Sequence, residues 1–349
     1  MRVLVTGHNG YIGSAMTPVL QSAGHEIVGL DTYFFEPCTL FNGCHRVPAV
    51  RKDTRDITVK DLIGFDAIIH LAALCNDPLG DLNPHWTYDI NFRTSVRLAK
   101  LAKEAGVQRF VYASSCSMYG AAGDDILSED APLKPLTAYA ASKAQTEEQV
   151  CKLADKNFCP VYMRNATAYG VSPRLRADVV LNNLVCWAFT TGKIKILSDG
   201  MAWRPIVHVE DIARACAAIL AAPAVAINNC AFNVGVTGEN YQVRDLAEIV
   251  RQTVPGCEVE YSIQGGADSR NYQVDFSKLA RVLNFRPKWN ARLGATELYN
   301  TFRNVGLTRE EFLGGKFTRL TQLKLLLQNK NLDQNLRWTN GIYESTAVG

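Results

Sequence analysis

The sequence predicts an α/β protein with a doubly wound parallel sheet and a smaller, interleaved α/β lobe. Short apolar runs alternate with amphipathic helical stretches through the first half of the 349 residues, which is typical of repeated strand, helix, strand units. A turn with three glycines separates the first strand from the first helix, and the alternation changes after about residue 165. Hydrophobic residues make up 47% of the chain and charged residues 20%, so we expect a compact globular core.

Five apolar runs in the first half are predicted strands. They span residues 3–6, 26–30, 67–71, 109–114 and 161–165. Between them, apolar residues recur at helical spacing in residues 12–23, 91–105 and 139–155, and each stretch stops at glycine or polar residues. Strands and helices that alternate in this way predict the Rossmann-type arrangement, a parallel sheet with helices on both faces.

The pattern after about residue 165 predicts the smaller lobe. We expect a helix near residues 179–190, a short strand near 195–197, and a strand that leads into a helix over 205–220. We therefore assign residues 1–165, with about 205–235, to a Rossmann domain, and about 166–204 and 236–349 to a substrate lobe. The lobe ends in a Leu- and Lys-rich helical extension, and we expect residues 344–349 to form a mobile tail.

Charge and hydropathy exclude several classes of partner. The 37 basic and 34 acidic residues give a net charge of +3, which is too small and too scattered for a nucleic-acid surface. The first residues run directly into a strand without a signal segment, and no run reaches the roughly 20 apolar residues that a membrane span needs. We expect a cytoplasmic protein that binds neither nucleic acid nor membrane.

The ten cysteines lack the paired spacing of a disulfide framework or a zinc ribbon. Cys38, Cys44 and His45 are close in sequence, but no fourth ligand follows at the spacing of a structural zinc site. The sequence therefore predicts buried thiols and no metal.

The glycine turn supplies the first functional prediction. Gly7, Gly10 and Gly13 follow the first strand and open the first helix, with Tyr11 and Ile12 between the last two. At such a junction, glycines allow a tight turn and let the amides of the helix N-terminus approach a pyrophosphate. The position of the turn, more than the glycine spacing alone, predicts a dinucleotide site.

Two acidic residues extend the predicted cofactor site. Asp31 ends the second strand, where a carboxylate can accept hydrogen bonds from the ribose hydroxyls of NAD and repel the additional phosphate of NADP. Asp53 follows a third short strand, where it could accept a hydrogen bond from the adenine amino group. The sequence therefore predicts NAD as the cofactor.

A second group of residues predicts acid and base chemistry. Tyr139 and Lys143 lie at i and i+4 on a predicted helix, so one face carries both side chains. A neighbouring ammonium favours the phenolate form of a tyrosine and lowers its pKa toward neutrality. Ser115 and Ser117 follow the predicted strand 109–114, at the carboxyl edge of the sheet where ligands bind in open α/β folds.

With these motifs in order, the sequence resembles the extended short-chain dehydrogenase/reductase family, in the branch that modifies nucleotide sugars. The similarity covers about residues 1–290. Its motifs are the glycine turn, Asp31, His70-Leu71-Ala72-Ala73, Asn91, Ser114-Ser115 with Tyr119-Gly120, Tyr139 with Lys143, and Arg204-Pro205-Ile206-Val207-His208-Val209-Glu210-Asp211.

The resemblance implies a role for each matching residue. It implies that Ser115, Tyr139 and Lys143 are catalytic and that Tyr139 and Lys143 also contact the cofactor. Further cofactor contacts are implied at Thr54, Leu71, Ala72, Ala73 and Asn91. Contacts to a nucleoside-diphosphate sugar are implied at Ser115, Cys116, Ser117, Thr167, Asn183, Arg204 and Arg270. A homodimer formed through residues 91–105 and 139–155 is also implied.

Departures from the family pattern narrow the expected activity. Where the 4,6-dehydratases of the family carry a Thr-Asp-Glu triplet, this chain carries Ser115-Cys116-Ser117, without either carboxylate. Dehydration, and the decarboxylation of UDP-glucuronate, are therefore disfavoured. Cys116 could act as an acid or base, as in related 3,5-epimerases, although no cation adjoins it in sequence. Cys75 replaces a lysine found in some epimerases, and His208 is expected to be a core residue.

Three functions remain open. The leading hypothesis is an NAD-dependent nucleotide-sugar epimerase, which removes hydride from C-4 of the sugar and returns it to the other face. The first alternative is an NAD(P)H-dependent reductase of 4-keto-6-deoxy nucleotide sugars, for which the same three catalytic residues suffice. The second, from another class, is a non-catalytic NAD-binding regulatory protein.

Overall fold

The computed structural model describes residues 1–41, 45–75, 82–261 and 271–339. Its strands, in chain order, are β1 Arg2–Thr6, β2 Glu26–Asp31, β3 Ala49–Arg51, β4 Ala67–His70, β5 Arg109–Ser115, β6 Ala121–Leu127, β7 Cys159–Asn165, β8 Thr167–Tyr169, β9 Lys193–Ile196, β10 Trp203–His208, β11 Cys230–Val234, β12 Asn240–Gln242, β13 Glu258–Tyr261 and β14 Asn271–Val274.

The helices flank these strands. In chain order they are α1 Tyr11–Ser22, α2 Pro84–Thr87, α3 Thr94–Glu104, α4 Ala138–Val150, α5 Val180–Thr191, α6 Val209–Ala221, α7 Ala224–Ile227, α8 Val243–Thr253, α9 Ser277–Leu283, α10 Ala291–Val305, α11 Arg309–Leu313 and α12 Arg319–Gln328.

Seven of the described strands form one parallel sheet in the order β3, β2, β1, β4, β5, β7, β11. The strand order reverses between β1 and β4, so a crevice opens at the carboxyl ends of these two strands. The prediction of a doubly wound parallel sheet is confirmed, and the five predicted strands correspond to β1, β2, β4, β5 and β7.

Successive side chains of each strand point to opposite faces of the sheet, so each face has its own hydrophobic core. On β1, Val3 and Val5 belong to a cluster that includes Met16 of α1 and Ile212 of α6. Leu4, between them, belongs to a second cluster on the other face, with Ile68, Leu98, Phe110 and Phe158. Because both faces of a parallel sheet are covered by helices, the strands read as continuous apolar runs.

The lobe is assembled around a third core from α5, α8 and α10. Leu181, Leu246 and Leu298 are fully buried in it. Its strands form two small sheets, β12-β10-β8 and β13-β9, while β14 pairs with β6 beside the main domain. The chain leaves the main sheet after β7, enters the lobe at β8, and returns through β10 and α6 to β11. The lobe is therefore interleaved with the main domain.

Two predicted helices differ from their observed bounds near the site. The stretch 91–105 begins as a π-helical turn, Tyr88–Arg93, before α3. The stretch 139–155 becomes a 3₁₀ turn, Cys151–Leu153, after α4. The π turn coincides with Asn91, whose side chain bonds the backbone of Leu74 instead of pointing to solvent. Single π turns inside helices are frequent near functional sites.

The C-terminal extension divides between the two parts of the protein. Phe312 and Phe317 pack into the lobe core. Beyond them, α12 and the residues that follow it pack against Phe34 and Ile90 of the main domain, with Leu323, Leu326, Leu332 and Leu336 at the contact. The sequence had assigned all of this segment to the lobe. The predicted tail, residues 344–349, lies outside the described residues.

A buried histidine joins the three elements below the crevice. His70, at the end of β4, is 1% exposed, and its two ring nitrogens lie 2.7 Å from the Thr6 hydroxyl and 2.8 Å from the Ser95 hydroxyl. Burial, assisted by the charge of Lys143, lowers the pKa of His70 to about 3. The folded protein therefore holds this imidazole neutral at neutral pH.

We expect His70 to make the fold sensitive to acid. Between its ordinary pKa of 6.5 and the folded value of about 3, the unfolded chain binds more protons than the folded one, so the free energy of unfolding falls as the pH is lowered. Urea unfolding measures the free energy of unfolding at about pH 7 and about pH 5. Between these two pH values the wild type should lose roughly 2 kcal/mol more of this free energy than His70→Gln. Equal losses in the two proteins would contradict this assignment.

Candidate active site

A cleft of about 660 Å³ opens at the carboxyl edge of the main sheet and extends into the lobe. Most of the residues singled out from the sequence line it: Gly7, Gly10, Tyr11, Ile12, Gly13, Asp31, Asp53, Thr54, Leu71, Ala72, Ala73, Ser115, Ser117, Tyr139, Lys143, Thr167, Asn183 and Arg204. Arg270 lies outside the described residues. The glycine turn and the Tyr139–Lys143 pair therefore share one cavity.

The glycine turn has the geometry that a dinucleotide requires. Gly7 has a φ of 76°, and a Cβ on it would lie 2.7 Å from the Ala72 backbone nitrogen. A Cβ on Gly13 would overlap the Gly7 carbonyl oxygen. Nδ2 of Asn9, which lines the cleft, is buried and has no acceptor among the described residues. A close-packed turn with an unused donor at a helix N-terminus fits a pyrophosphate.

The two predicted acidic residues are held differently. Asp31 accepts hydrogen bonds from the backbone amides of Asn9 and Tyr33, at 3.0 and 2.8 Å, so its carboxylate is fixed at the end of β2. Asp53 is paired with Arg55, whose Nη2 lies 2.7 Å from Oδ2. Asp31 is thus placed for a ribose. An adenine contact at Asp53 stays a prediction, because that carboxylate already has a strong partner.

Local structure brings the catalytic candidates together. The Thr137 hydroxyl accepts from the Ala140 amide at 3.1 Å and caps α4, so that Tyr139 and Lys143 occupy successive turns of one helix face. Ser115 ends β5, and its hydroxyl accepts from the Ser117 amide at 3.2 Å. All three side chains line the cleft.

The electrostatics of this group are set by burial. Lys143 is 3% exposed, and its Nζ donates to the Ala113 carbonyl at 2.6 Å. The same Nζ lies 4.6 Å from the centroid of the Tyr112 ring. Burial lowers the pKa of Lys143 to about 8. Burial, with the neighbouring Cys75 and Tyr112, raises the pKa of Tyr139, whereas the charge of Arg176 and a hydrogen bond from Ser115 lower it. A second positive charge near the phenol would favour its ionisation further.

Two residues assigned to the site by the sequence lie behind the cleft wall. Asn91 is fully buried; it accepts from the Leu74 amide at 2.8 Å and donates to the Leu74 carbonyl at 2.9 Å. It therefore positions a residue that lines the cleft. Cys116 is also fully buried, and its thiol donates to the Arg164 carbonyl at 3.0 Å.

The position of Cys116 corrects the expectation that it contacts the substrate. Its side chain lies in the core beneath β5, because the residue begins a 3₁₀ turn, in which successive side chains point about 120° apart. Burial also raises the pKa of this thiol, which makes it a poor acid or base at neutral pH. Ser117, one residue further on, does line the cleft.

The structure adds cleft residues that sequence reasoning missed. Arg176 forms a bidentate ion pair with Asp178, at 2.9 and 3.1 Å, in the loop after β8. The alternation Arg174, Arg176, Asp178 just beyond the end of a strand is a signal that could have been used. Arg319 reaches the cleft from α12, and no local sequence pattern marks it.

The described residues hold neither a metal-ligand cluster nor a membrane-spanning helix. No three His, Cys, Asp or Glu side chains gather there as metal ligands would. Cys44, considered in the sequence with Cys38 and His45, lies outside that part of the chain. No helix in the described ranges is both long enough and apolar enough to cross a membrane.

We expect Gly13→Ala to weaken NAD binding at least about tenfold, because the new Cβ forces the turn to shift away from the pyrophosphate. Fluorescence titration with NADH measures the affinity. Gly238→Ala is the matched control, since its Cβ would meet no described heavy atom within 4 Å. Equal affinities in the two variants would mean that the turn does not hold the dinucleotide.

Comparisons with known proteins agree with this geometry. The NAD dependent epimerase/dehydratase family model matches residues 3–235. A UDP-glucose 4-epimerase of Mycolicibacterium smegmatis is 30% identical, over 87% of this chain and 99% of that protein. UDP-glucuronic acid decarboxylase 1 of Arabidopsis thaliana is 25% identical, over 90% and 72%. The solved structure of MoeE5 with UDP-glucuronic acid and NAD is 26% identical, with a TM-score of 0.75 and coverage of 87% and 99%.

The sequence resemblance is therefore confirmed at the level of the family. The match extends over most of the chain, and it includes the glycine turn, the strand ends and the helix that together border the cleft. The chain belongs to the NAD dependent epimerase/dehydratase family, and its cofactor is NAD.

Proposed function

We propose that this protein is an NAD-dependent nucleotide-sugar 4-epimerase. The observation that carries the proposal is the set of groups at the catalytic end of the cleft. Ser115, Tyr139 and Lys143 line it together with the glycine turn, and neither position 116 nor position 117 holds a carboxylate. Hydride and proton transfer need only these three side chains, whereas removal of water from the sugar needs a further acid and base.

The relatives support a nucleotide sugar as the substrate class. The Mycolicibacterium smegmatis relative is named as a UDP-glucose 4-epimerase, and MoeE5 was solved with UDP-glucuronic acid and NAD. We propose a nucleoside-diphosphate sugar for this chain on that basis. The decarboxylase among the relatives fits less well, because position 117 of this chain is a serine and not the glutamate that the family resemblance implies for that activity.

Residues of the lobe half of the cleft are proposed to hold the substrate. Asn183 of α5 donates one amide hydrogen to the Ala177 carbonyl at 2.8 Å, which leaves the other for a phosphate oxygen. Arg204 of β10 supplies a guanidinium, a group suited to a diphosphate. Thr167 and Ser117 also line the cleft and are proposed to border the sugar.

In the proposed reaction, the side chains of this protein manage one proton. NAD, when bound, supplies the hydride acceptor. The Tyr139 phenolate oxygen accepts the proton of the sugar 4-hydroxyl as hydride leaves, and the hydroxyl so formed returns the proton when hydride comes back to the opposite face. Lys143, with Nζ 5.7 Å from the centroid of the Tyr139 ring, stabilises the phenolate by its charge. Its pKa of about 8 keeps it mostly protonated at neutral pH.

Product analysis tests the function. Purified protein is incubated with intact nucleotide sugars of several bases, and 4-epimers are sought by chromatography; in parallel, NADH and NADPH absorbance is followed with 4-keto-6-deoxy nucleotide sugars. We expect epimers to form without added NADH, and NAD to be released when the protein is denatured. Stoichiometric oxidation of NADH or NADPH without epimers would identify a ketoreductase and overturn the proposal.

Variants of the catalytic pair test the mechanism. Tyr139→Phe and Lys143→Met should each lower the epimerisation rate at least about 100-fold, the lower range for acid and base catalysis, with the fold retained. Tyr299→Phe is the matched control, because its ring packs against Phe189 in the lobe, away from the cleft. Undiminished turnover in either catalytic variant would contradict the mechanism. Biological activity that survives Tyr139→Phe would point to a regulatory protein.

We also propose a homodimer formed through α3 and α4, the helices that correspond to the predicted interface. They pack side by side on one face of the sheet, each with an exposed side that carries Lys100 or Glu148. Light scattering should give a mass near twice the 38.5 kDa of the chain. A monomeric mass at working concentration would contradict this assembly.

A further inference from the structure

Three buried arginines gather opposite the glycine turn, and one of them comes from the C-terminal extension. Arg319, the first residue of α12, is 3% exposed; Arg174 is 6% exposed, and the Arg176 side chain 15%. Arg319 and Arg176 both line the cleft. The family model ends at residue 235, so Arg319 lies beyond the part of the chain that it matches.

Positive charge exceeds negative charge at this position. Asp178 is paired with Arg176, and no other carboxylate of the described residues forms an ion pair with these arginines. Arg174 donates to the Asn9 side chain. Arg319 donates to the Leu175 and Arg174 carbonyls, at 3.1 and 2.8 Å. Cys38 and the charge of Asp178 also act on Arg319, but the three arginines share this one carboxylate, and the remaining buried positive charge is costly unless an anion completes the site.

The arginines lie beside the glycine turn as well as beside the part of the cleft that is proposed to hold the sugar. Arg176 and Arg319 line the same cleft as Gly7, Gly10 and Gly13 of the turn. Arg319 also donates to the backbone carbonyl of Arg174, at 2.8 Å. Arg174 bonds Oδ1 of Asn9, and Nδ2 of that same amide is the buried donor without a described acceptor. The arginines and the turn therefore border one cleft.

We propose that Arg319 is a binding residue for the diphosphate of the dinucleotide, which it clamps against the glycine turn, so that the C-terminal extension forms part of the cofactor site. The inference rests on the proposed function, which requires the cleft to hold two diphosphates. One belongs to the dinucleotide and the other to the nucleotide sugar. The inference assigns Arg319 to the dinucleotide, because Arg319 shares the cleft with the glycine turn and holds Arg174, whose side chain bonds Asn9 of that turn.

The extension is built to hold Arg319 in place. The guanidinium lies 5.0 Å from the centroid of the Phe35 ring, in the loop after β2. Further along, Trp338 Nε1 donates to the Thr32 carbonyl at 2.8 Å, and Arg55 donates to the Leu336 carbonyl at 3.0 Å. These contacts fasten both ends of the segment to the half of the protein that forms the cofactor site. A cation held in this way loses little side-chain entropy when an anion arrives.

Calorimetric titration of nucleotide-free protein tests the assignment with three probes: NAD, ADP-ribose and uridine diphosphate. Arg319→Met should lower the affinity for NAD and for ADP-ribose about tenfold to a hundredfold, the usual range for loss of a charge-assisted hydrogen bond. The affinity for uridine diphosphate should stay unchanged. Lys324→Met, an exposed residue of the same helix, is the control and should change none of them. A lower affinity for uridine diphosphate with an unchanged affinity for NAD would overturn the assignment to the cofactor.

A conservative variant guards against misfolding. Arg319 also supports two carbonyls, so Arg319→Met could unfold the loop after β8. Arg319→Lys keeps the charge but loses the planar guanidinium. We expect this variant to bind ADP-ribose several-fold more weakly than the wild type and to bind adenosine equally well. Equal ADP-ribose affinity in Arg319→Lys, Arg319→Met and the wild type would refute the inference. The proposed function would survive that result, because it fails only if intact nucleotide sugars are not epimerised.

Discussion

The close approach of two backbones, Gly7 after β1 and Ala72 after β4, is the constraint on which the site depends. These strands are neighbours where the sheet order reverses, and their ends must separate enough to admit a ligand while staying in contact below it. Glycine at position 7 makes the contact possible, since any side chain would meet the Ala72 amide. Below the contact, His70 links β4 to Thr6 and Ser95 and so fixes the floor of the cleft.

Burial sets the electrostatics of Tyr139 and Lys143 and also lowers the stability of the fold around them. Lys143 is enclosed with one carbonyl partner and two aromatic rings, so the folded protein carries an ammonium whose pKa is well below its ordinary value. Tyr139, in the same enclosure, is held as a neutral phenol until positive charge is added nearby. Such a pair stores an electrostatic cost in the fold that ligands of the cleft can relieve. Functional sites are commonly destabilising for this reason.

The sequence predicted the features that depend on neighbours along the chain. The strand ends, the glycine turn and the Tyr139–Lys143 spacing all follow from local periodicity, and so does their meeting at one edge of a parallel sheet. It failed where the direction of a side chain depends on tertiary packing. Cys116 and Ser117 are adjacent, yet one enters the core and the other the cleft. Arg319 was missed because its approach depends on the docking of a distant helix, which no local pattern records.

The burial of Cys116 also limits how this protein could diverge. Its thiol donates to the Arg164 carbonyl in a space closed to water, and an aspartate there would set a carboxylate against a carbonyl oxygen, with no donor to replace the lost one. A single substitution would therefore place an acidic residue at this position without creating a usable acid in the cleft. The turn after β5 would have to be rebuilt together with its packing.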